Sequence, residues 1–173
     1  MTLNLLFLND VAQLKYIQLN EPEKLNDMLP VTADMTVAFM LEQKGIAFVD
    51  EWDFLSENQI VENKKIAHQL AKNWWDEQVA STEYNGLVLS DLVEQDLVYP
   101  LEASLNARTV YAGLLDTYSV KKISGFFLPA VPVIRTGPVP TAKAVHSVSQ
   151  AILFYMAAKR GIEVSHLQLP KCD

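Results

Sequence analysis

Residues 32–49, Thr-Ala-Asp-Met-Thr-Val-Ala-Phe-Met-Leu-Glu-Gln-Lys-Gly-Ile-Ala-Phe-Val, form a unit that the chain repeats within residues 141–169. The second copy opens Thr-Ala-Lys-Ala-Val and closes Lys-Arg-Gly-Ile-Glu-Val-Ser-His-Leu-Gln-Leu. Each copy predicts a helix that begins at Thr, ends at a basic residue and Gly45 or Gly161, and leads into an Ile-led strand. Thr is a favoured N-cap, a cation stabilises the C-terminal end of the helix dipole, and glycine adopts the left-handed conformation that follows the last turn. A helix that leads directly into a short apolar strand is half of a βαβ crossover, so the unit predicts α/β layering.

Apolar runs elsewhere in the chain predict the remaining strands. The predicted strands are residues 3–8, 14–19, 46–49, 122–128 and 162–169. A long stretch of helical pattern lies between the third and the fourth of them. The predicted fold is α/β, a Rossmann-like three-layer sandwich with a small, mostly parallel sheet and a helical excursion at about residues 56–118.

The helical excursion opens at Ser56, which with Gln59 has the spacing of a capping box. Two adjacent columns of residues at i, i+4 spacing then predict one buried helix face. The columns are Ile66, Leu70, Trp74 and Ala67, Ala71, Trp75. Pro100 predicts a break between two later helices, because proline has no N–H to donate and disfavours helical backbone in the residue before it.

Two other segments carry predictions about burial. Residues 37–41 are apolar on all sides of their predicted helix, which indicates a helix that is covered on more than one face. Residues 50–53, Asp-Glu-Trp-Asp, follow a predicted strand. We expect Trp52 to turn into the core while the three acidic residues form a polar strand end. The alternative for these carboxylates is a set of oxygen ligands for Mg²⁺.

Length, charge and composition limit the classes of function. The chain has 173 residues and a formal charge of −7, which suits a single α/β domain over 1–173 or the N-terminal half of a larger enzyme. The negative charge disfavours nucleic acid and anionic membranes as partners, because both attract Lys and Arg. No apolar run approaches the roughly 18 residues that span a bilayer. The lone cysteine, Cys172, predicts a cytoplasmic protein without internal disulfides.

The common nucleotide-binding and hydrolase motifs are missing from the sequence. It has no G-x-G-x-x-G, no G-x-x-x-x-G-K-[ST] and no G-x-S-x-G. The three histidines are too scattered in the sequence to predict a metal site. The sequence therefore assigns no catalytic residue, no metal and no cofactor.

The carboxyl ends of the predicted strands are where an open α/β sheet binds its ligands. Residues 135–138 lead into the N-terminus of the predicted helix 141–160, whose free N–H groups and dipole favour an anion. His146, near that end, is the best candidate for acid–base chemistry. The candidate ligand- or anion-binding residues are Asp10, Arg135, Thr136, Gly137, Thr141, Lys143 and His146. The alternative is that Thr141 only caps the helix and Arg135 is a solvated loop charge.

Four further stretches are Leu19-Asn-Glu-Pro, Leu29-Pro-Val-Thr, Glu-Gln-Lys-Gly-Ile-Ala-Phe-Val-Asp-Glu-Trp-Asp-Phe-Leu at 42–55, and the late Lys-Arg-Gly-Ile-Glu-Val. They resemble the N-terminal Rossmann-like portion of bacterial surface-carbohydrate glycosyltransferases, the GT-B type with two Rossmann domains. The resemblance implies a domain that binds a sugar acceptor or a nucleotide-sugar. It also implies that a second, C-terminal domain holds most of the donor. No catalytic motif of that family can be placed on this chain.

Two hypotheses of function come from these observations. The first is a glycosyltransferase-like domain in surface polysaccharide biosynthesis, with a nucleotide-sugar or sugar phosphate as ligand and a partner domain or subunit. The second is a non-catalytic α/β binding or oligomerisation module, with a homodimer formed through residues 56–118. A phospho-ligand hydrolase that uses Asp10 or Asp53 with a bound metal ranks third.

Overall fold

The computed structural model describes residues 2–76, 83–84, 87–127 and 142–169, without the side chains of 74–96 and 142–147. The chain divides into two compact units. Unit 1 comprises Met1–Phe54, Val110–Pro129 and Phe154–Asp173, and unit 2 comprises Leu55–Thr109 and Ala130–Leu153. The assignment of residues 1–173 to a single domain stays a prediction.

Seven strands, six α-helices and one 3₁₀ helix make up the described part of the chain. In chain order they are β1 (Leu3–Phe7), α1 (Val11–Asn20), α2 (Lys24–Asp27), β2 (Leu29–Thr32), α3 (Met35–Gln43), β3 (Val49–Asp50), the 3₁₀ helix (Glu51–Phe54), α4 (Glu57–Asp76), β4 (Glu83–Tyr84), β5 (Leu87–Val88), α5 (Leu89–Thr117), β6 (Val120–Gly125), α6 (Ala142–Lys159) and β7 (Glu163–His166). None of the described helices is both long enough and apolar enough to cross a membrane.

Unit 1 is built on a five-stranded sheet in the order β3-β2-β1-β6-β7, and every neighbouring pair is parallel. Phe7 on β1 is aligned with Val31 on β2 and with Gly125 on β6, and Gly125 is aligned with His166 on β7. Parallel neighbours need long crossover connections, which here contain helices. The prediction of an α/β fold with a small parallel sheet is confirmed.

Helices cover both faces of this sheet. On one face, Leu6 of β1 lies in a buried cluster with Leu14 of α1 and Leu41 of α3. Phe7 points to the opposite face because successive side chains of a strand alternate, and its ring meets Tyr111 of α5 with 6.1 Å between centroids. Helix, sheet and helix are the three layers of the predicted Rossmann-like sandwich.

The repeated unit ends as the sequence predicts. Gly45 and Gly161 have φ values of 65° and 67°, in the left-handed region. The N–H of Ile46 donates to the carbonyl of Leu41 at 3.0 Å, and Ile162 makes the equivalent bond at 2.9 Å. These six-residue bonds are Schellman caps, which satisfy carbonyls at the end of each helix. These caps turn the chain from each helix toward the strand that follows it.

The start of the first unit differs from the prediction. Thr32 belongs to β2 and is fully buried there. The N-cap of α3 is instead Asp34, whose Oδ1 accepts from the N–H groups of Thr36 and Val37 at 2.7 and 3.0 Å. Asp is as good a cap as Thr and lies two residues closer to the first helical turn.

Residues 14–19 lie in α1, so the prediction of a strand there is wrong. Asp10 caps this helix by accepting from the N–H of Gln13 at 2.9 Å. Leu14 and Ile17, three residues apart, are buried together in the cluster beneath the helix. Spacing of three or four residues brings side chains to one helix face, and a short apolar run does not distinguish that pattern from a strand.

Two prolines lie inside regular elements. Pro30 is in β2, aligned with Leu6 of β1, in a segment where no strand was predicted. Pro100 lies inside α5, so the predicted break between two helices is wrong. Leu97 and Leu101 pack on the same cluster from either side of Pro100. We infer that this packing outweighs the cost of about 3 kcal/mol that an interior proline imposes on a helix.

Burial also departs from the predictions at three places. On α4, Ala67 and Ala71 are fully buried, but Ile66 and Leu70 are 36% and 46% exposed. The predicted buried face is therefore only the alanine column, and the side chains of Trp74 and Trp75 lie outside the described residues. On α3, Phe39 is exposed, so that helix is covered on one face. Trp52 is 56% exposed rather than turned into the core.

Unit 2 contains residues 56–109 of the predicted helical excursion, including the antiparallel pair β4 and β5 between α4 and α5. The capping box that opens α4 is confirmed, since the N–H of Ser56 donates to Gln59 Oε1 at 2.8 Å and the N–H of Gln59 donates to Ser56 Oγ at 3.3 Å. Buried Asn63 of α4 donates through Nδ2 to Asn106 Oδ1 at 2.9 Å and to Thr109 Oγ1 at 3.2 Å on α5. Ala67 and Ala71, packed against Val98, and this polar contact join α4 to α5.

Candidate functional site

The order of strands reverses between β1 and β6 in unit 1. The chain proceeds from β1 through β2 to β3 on one side, then returns to place β6 and β7 on the other side of β1. The connections that leave two such neighbours diverge to opposite faces, which opens a crevice at their carboxyl ends. Here those ends are Phe7 on β1 and Gly125 on β6. This edge is the candidate site.

Asp10 follows β1 at this edge and acts there as a helix cap. Its carboxylate accepts from the N–H of Gln13, and Gln13 Oε1 in turn accepts from the N–H of Asn9 at 2.7 Å. The positive end of the α1 dipole therefore already faces a carboxylate. A second anion at the same N-terminus would meet like charge, so Asp10 is placed to orient the β1–α1 connection.

The other predicted ligand-binding residues come after β6 in the sequence, before or within the first turns of α6. Arg135, Thr136, Gly137 and Thr141 lie outside the described residues. Lys143 and His146 are in the first turns of α6, and their side chains also lie outside the described part of the chain. What the structure adds is the strand that precedes these residues, which is one of the two at the reversal.

Five rings, which we call the aromatic row, lie along the carboxyl edge of the sheet. They are Tyr111, Phe7, Phe127, Phe154 and His166. Phe7 contacts Tyr111 on one side and Phe127 on the other, at 6.1 and 6.3 Å between ring centroids. Phe127 contacts Phe154 at 4.8 Å and His166 at 5.4 Å. The row thus extends from α5 across β1 and β6 to the end of β7.

Gly125 makes room for the centre of this row. A Cβ built at position 125 would lie 2.9 Å from Phe127 Cζ and 3.1 Å from Phe7 Cβ. Real Cβ atoms do not approach other atoms so closely in close-packed interiors. The missing side chain therefore lets the Phe127 ring fold back over β6 at the strand reversal.

Glu51 is a carboxyl with a strongly perturbed environment, at the carboxyl end of β3. Desolvation, and to a lesser extent the neighbouring Asp50, raise its pKa from 4.5 to about 7, while a hydrogen bond with Tyr111 acts in the opposite direction. Burial, and then the charge of Glu51 and its hydrogen bond, raise the pKa of the Tyr111 hydroxyl above its usual range. A carboxyl that titrates near neutrality can give and take a proton at cellular pH.

Sequence reasoning missed this pair. The sequence predicts only metal ligands or a polar strand end for Asp50, Glu51 and Asp53, and nothing in it links residue 51 to residue 111. Among the described residues, no three His, Cys, Asp or Glu side chains are grouped to hold a metal ion. The one signal in the sequence is the acidic pair Asp50-Glu51, directly after the predicted strand 46–49.

Trp52 holds a defined orientation although it is exposed. Its indole Nε1 donates to the carbonyl of Ala33 at 3.2 Å, and its backbone N–H donates to Asp50 Oδ1 at 2.9 Å. Glu51 and Trp52 thus connect the 3₁₀ helix to α5 and to the segment before α3. Contacts with Tyr111 and with Ala33 therefore fix the turn at the end of β3.

No protein-family profile, curated protein or solved structure matches this chain.

Proposed function

We propose that this chain is a glycosyltransferase-like domain of surface polysaccharide biosynthesis. It binds a sugar acceptor or a nucleotide-sugar at the carboxyl ends of the strands, in the cytoplasm. The observation that carries the proposal is the strand reversal between β1 and β6, because open α/β sheets bind ligands at such points. The resemblance of residues 42–55 to the glycosyltransferase family supplies the class of ligand.

The residues at the reversal suit such a ligand. Ligand sites combine apolar and aromatic walls with a few polar groups that fix orientation. Phe127, partly exposed, supplies an aromatic wall next to the reversal. Later in the sequence come Arg135, Thr136 and Lys143, residue types that suit a phosphate and whose side chains lie outside the described part of the chain. Binding, rather than independent catalysis, is what we assign to this chain.

A thermal-shift screen tests the proposal. The protein is heated with UDP-, GDP-, CDP- and dTDP-sugars, with the free nucleotides and with sugar phosphates. A ligand that binds only the folded state raises the melting temperature by mass action. We expect a shift with one nucleotide class that Arg135→Ala abolishes.

The matched control is Arg108→Ala, which removes an exposed arginine from α5 instead. It should leave the ligand-induced shift unchanged. No shift with any ligand at millimolar concentration, or equal loss in both variants, would contradict the proposal.

A second candidate, an oligomerisation module, is favoured by the exposed apolar residues on α4. Ile66 and Leu70 lie four residues apart on one helix face and keep a third or more of their surface in solvent. Exposed apolar surface of this kind marks interfaces when it is contiguous. Sedimentation velocity distinguishes the candidates, since Leu70→Glu should dissociate a dimer while Gln69→Glu, which adds the same charge beside it, should not.

A further inference from the structure

Trp52 is an exposed aromatic residue whose orientation is fixed by hydrogen bonds. More than half of its surface, 56%, is in solvent. Its indole Nε1 donates to the carbonyl of Ala33 at 3.2 Å, and its backbone N–H donates to Asp50 Oδ1 at 2.9 Å. The indole N–H lies at the edge of the ring, so the ring is held by its edge. A ligand that stacks on it therefore does not have to immobilise it first.

This ring lies at the same edge of the sheet as the candidate site. Ala33 follows β2 and Trp52 follows β3, and Thr32 is aligned with Asp50 at the last positions of these parallel strands. The carboxyl ends of β1, β2 and β3 therefore lie side by side. The end of β3 is two strands from β1, a distance of about 10 Å. A ligand longer than one sugar unit can extend along this edge from the strand reversal to Trp52.

The charges near Trp52 indicate the class of ligand. Asp50 accepts from the Trp52 N–H through one of its carboxylate oxygens, and Asp53 is exposed. The sequence has no Lys or Arg between Lys44 and Lys64. Because like charges repel, this end of the edge disfavours a phosphate. Carboxylates accept hydrogen bonds from hydroxyl groups. A pyranose fits both features, since it has C–H groups that stack on an indole and hydroxyls around its rim.

We propose that Trp52 is the stacking surface for an uncharged pyranose of the sugar acceptor, with Asp50 and Asp53 as acceptors for its hydroxyl groups. The inference deepens the proposed function and rests on it, because that function supplies a sugar as the ligand. It assigns the uncharged acceptor to the end of β3 and leaves the reversal between β1 and β6 to a phosphorylated ligand. A cation held over the indole would be the competing occupant, and its binding would weaken with salt.

Saturation-transfer difference NMR on the whole protein tests the inference. The neutral probes are the methyl glycosides of glucose, galactose, mannose, rhamnose and N-acetylglucosamine. Glucose 1-phosphate and methyl glucosaminide are the anionic and cationic probes. We expect transfer to the C–H groups on one ring face of at least one neutral probe, with no dependence on salt. Glucose 1-phosphate should receive less than the neutral probe.

Substitutions locate the binding. Trp52→Ala should weaken binding of the neutral probe about tenfold, because the stacking contact is lost. Trp52→Phe, which keeps an aromatic ring, should retain most of the affinity. The matched control is Tyr99→Ala, which removes an aromatic residue of 58% exposure from α5 and should change nothing. Asp53→Ala is the second readout if Trp52→Ala does not fold, and it should weaken binding of the same probe.

Failure of this inference differs from failure of the proposed function. If a nucleotide-dependent thermal shift occurs but no neutral glycoside binds, the inference alone is overturned. It is also overturned if glycoside binding survives Trp52→Ala or, where that variant is unfolded, Asp53→Ala. Binding confined to methyl glucosaminide and weakened by salt would identify a cation site instead. Absence of both the thermal shift and glycoside binding would contradict the inference and the proposed function together.

Discussion

Single residues set the local geometry of this fold, and the sequence shows most of them. Gly45, Gly161 and Ser56 act through bonds within five residues of themselves. Such interactions depend on the neighbouring backbone alone, which makes them predictable without knowledge of the tertiary structure. The N-cap of α3 was misplaced by two residues because Thr32 and Asp34 are both good caps, and only the extent of β2 selects Asp34.

We expect Gly45→Ala to lower the free energy of unfolding by about 1 to 2 kcal/mol, the cost of a left-handed non-glycine residue. Nothing lies within 4 Å of the added Cβ, so the loss is purely conformational. Urea denaturation measures it. Gly45→Asn is the control, since Asn tolerates this conformation and should lose less. Equal losses in the two variants would contradict the assignment.

Helices and strands depend on packing as well as on their own sequences. Both repeated units contain a helix that ends at a left-handed glycine, but their strands begin later than the predicted Ile46 and Ile162, at Val49 and Glu163. Pro30 and Pro100 show the opposite case, in which neighbours maintain an element that its own sequence disfavours. The exposed Ile66 and Leu70 show that apolar spacing locates a helix but does not say which column another helix covers.

The contact between α4 and α5 leads to a prediction at the scale of helices. Asn63→Ala should lower the free energy of unfolding by about 1 to 3 kcal/mol, because it leaves the partly buried Asn106 Oδ1 without its donor. Asn73→Ala, at an exposed position of the same helix, should change stability little. Chemical denaturation of both variants measures the difference. Equal effects would show that helix propensity, rather than the polar contact, decides the outcome.

At the scale of the whole molecule, tertiary structure brings together groups from distant parts of the sequence. Glu51 and Tyr111 are 60 positions apart, and the aromatic row draws on β1, α5, the segment after β6, α6 and β7. The candidate residues 135–138, which a rule about strand ends selects, lie outside the residues that the structure describes. Their ligand stays a prediction.

The pH dependence of stability tests this long-range pairing. Burial raises the pKa of Glu51 from 4.5 to about 7, so the stability that this group contributes is complete below pH 4.5 and is lost as pH rises through 7. Glu51→Gln removes that loss. The variant should be more stable than the parent by about 1 to 3 kcal/mol at pH 8, with no gain at pH 4.5.

Urea denaturation at the two pH values measures this effect. Asp53→Asn, which alters an exposed carboxylate, should behave as the parent does. If Glu51→Gln raises the free energy of unfolding by the same amount at both pH values, burial of the ionised carboxyl is not the source of the increase.

The sequence by itself determined the α/β class, the glycine ends of both repeated helices and the capping box of α4, because the two caps depend on contacts within a few residues and the class on the pattern of helices and strands. Tertiary structure decided the strand order, the place of Gly125 beneath the Phe127 ring and the pairing of Glu51 with Tyr111. The physical reason is that desolvation and packing depend on which distant surfaces meet. Interactions between residues close in the sequence do not determine which distant surfaces meet. That depends on burying the apolar faces of all the helices and strands together.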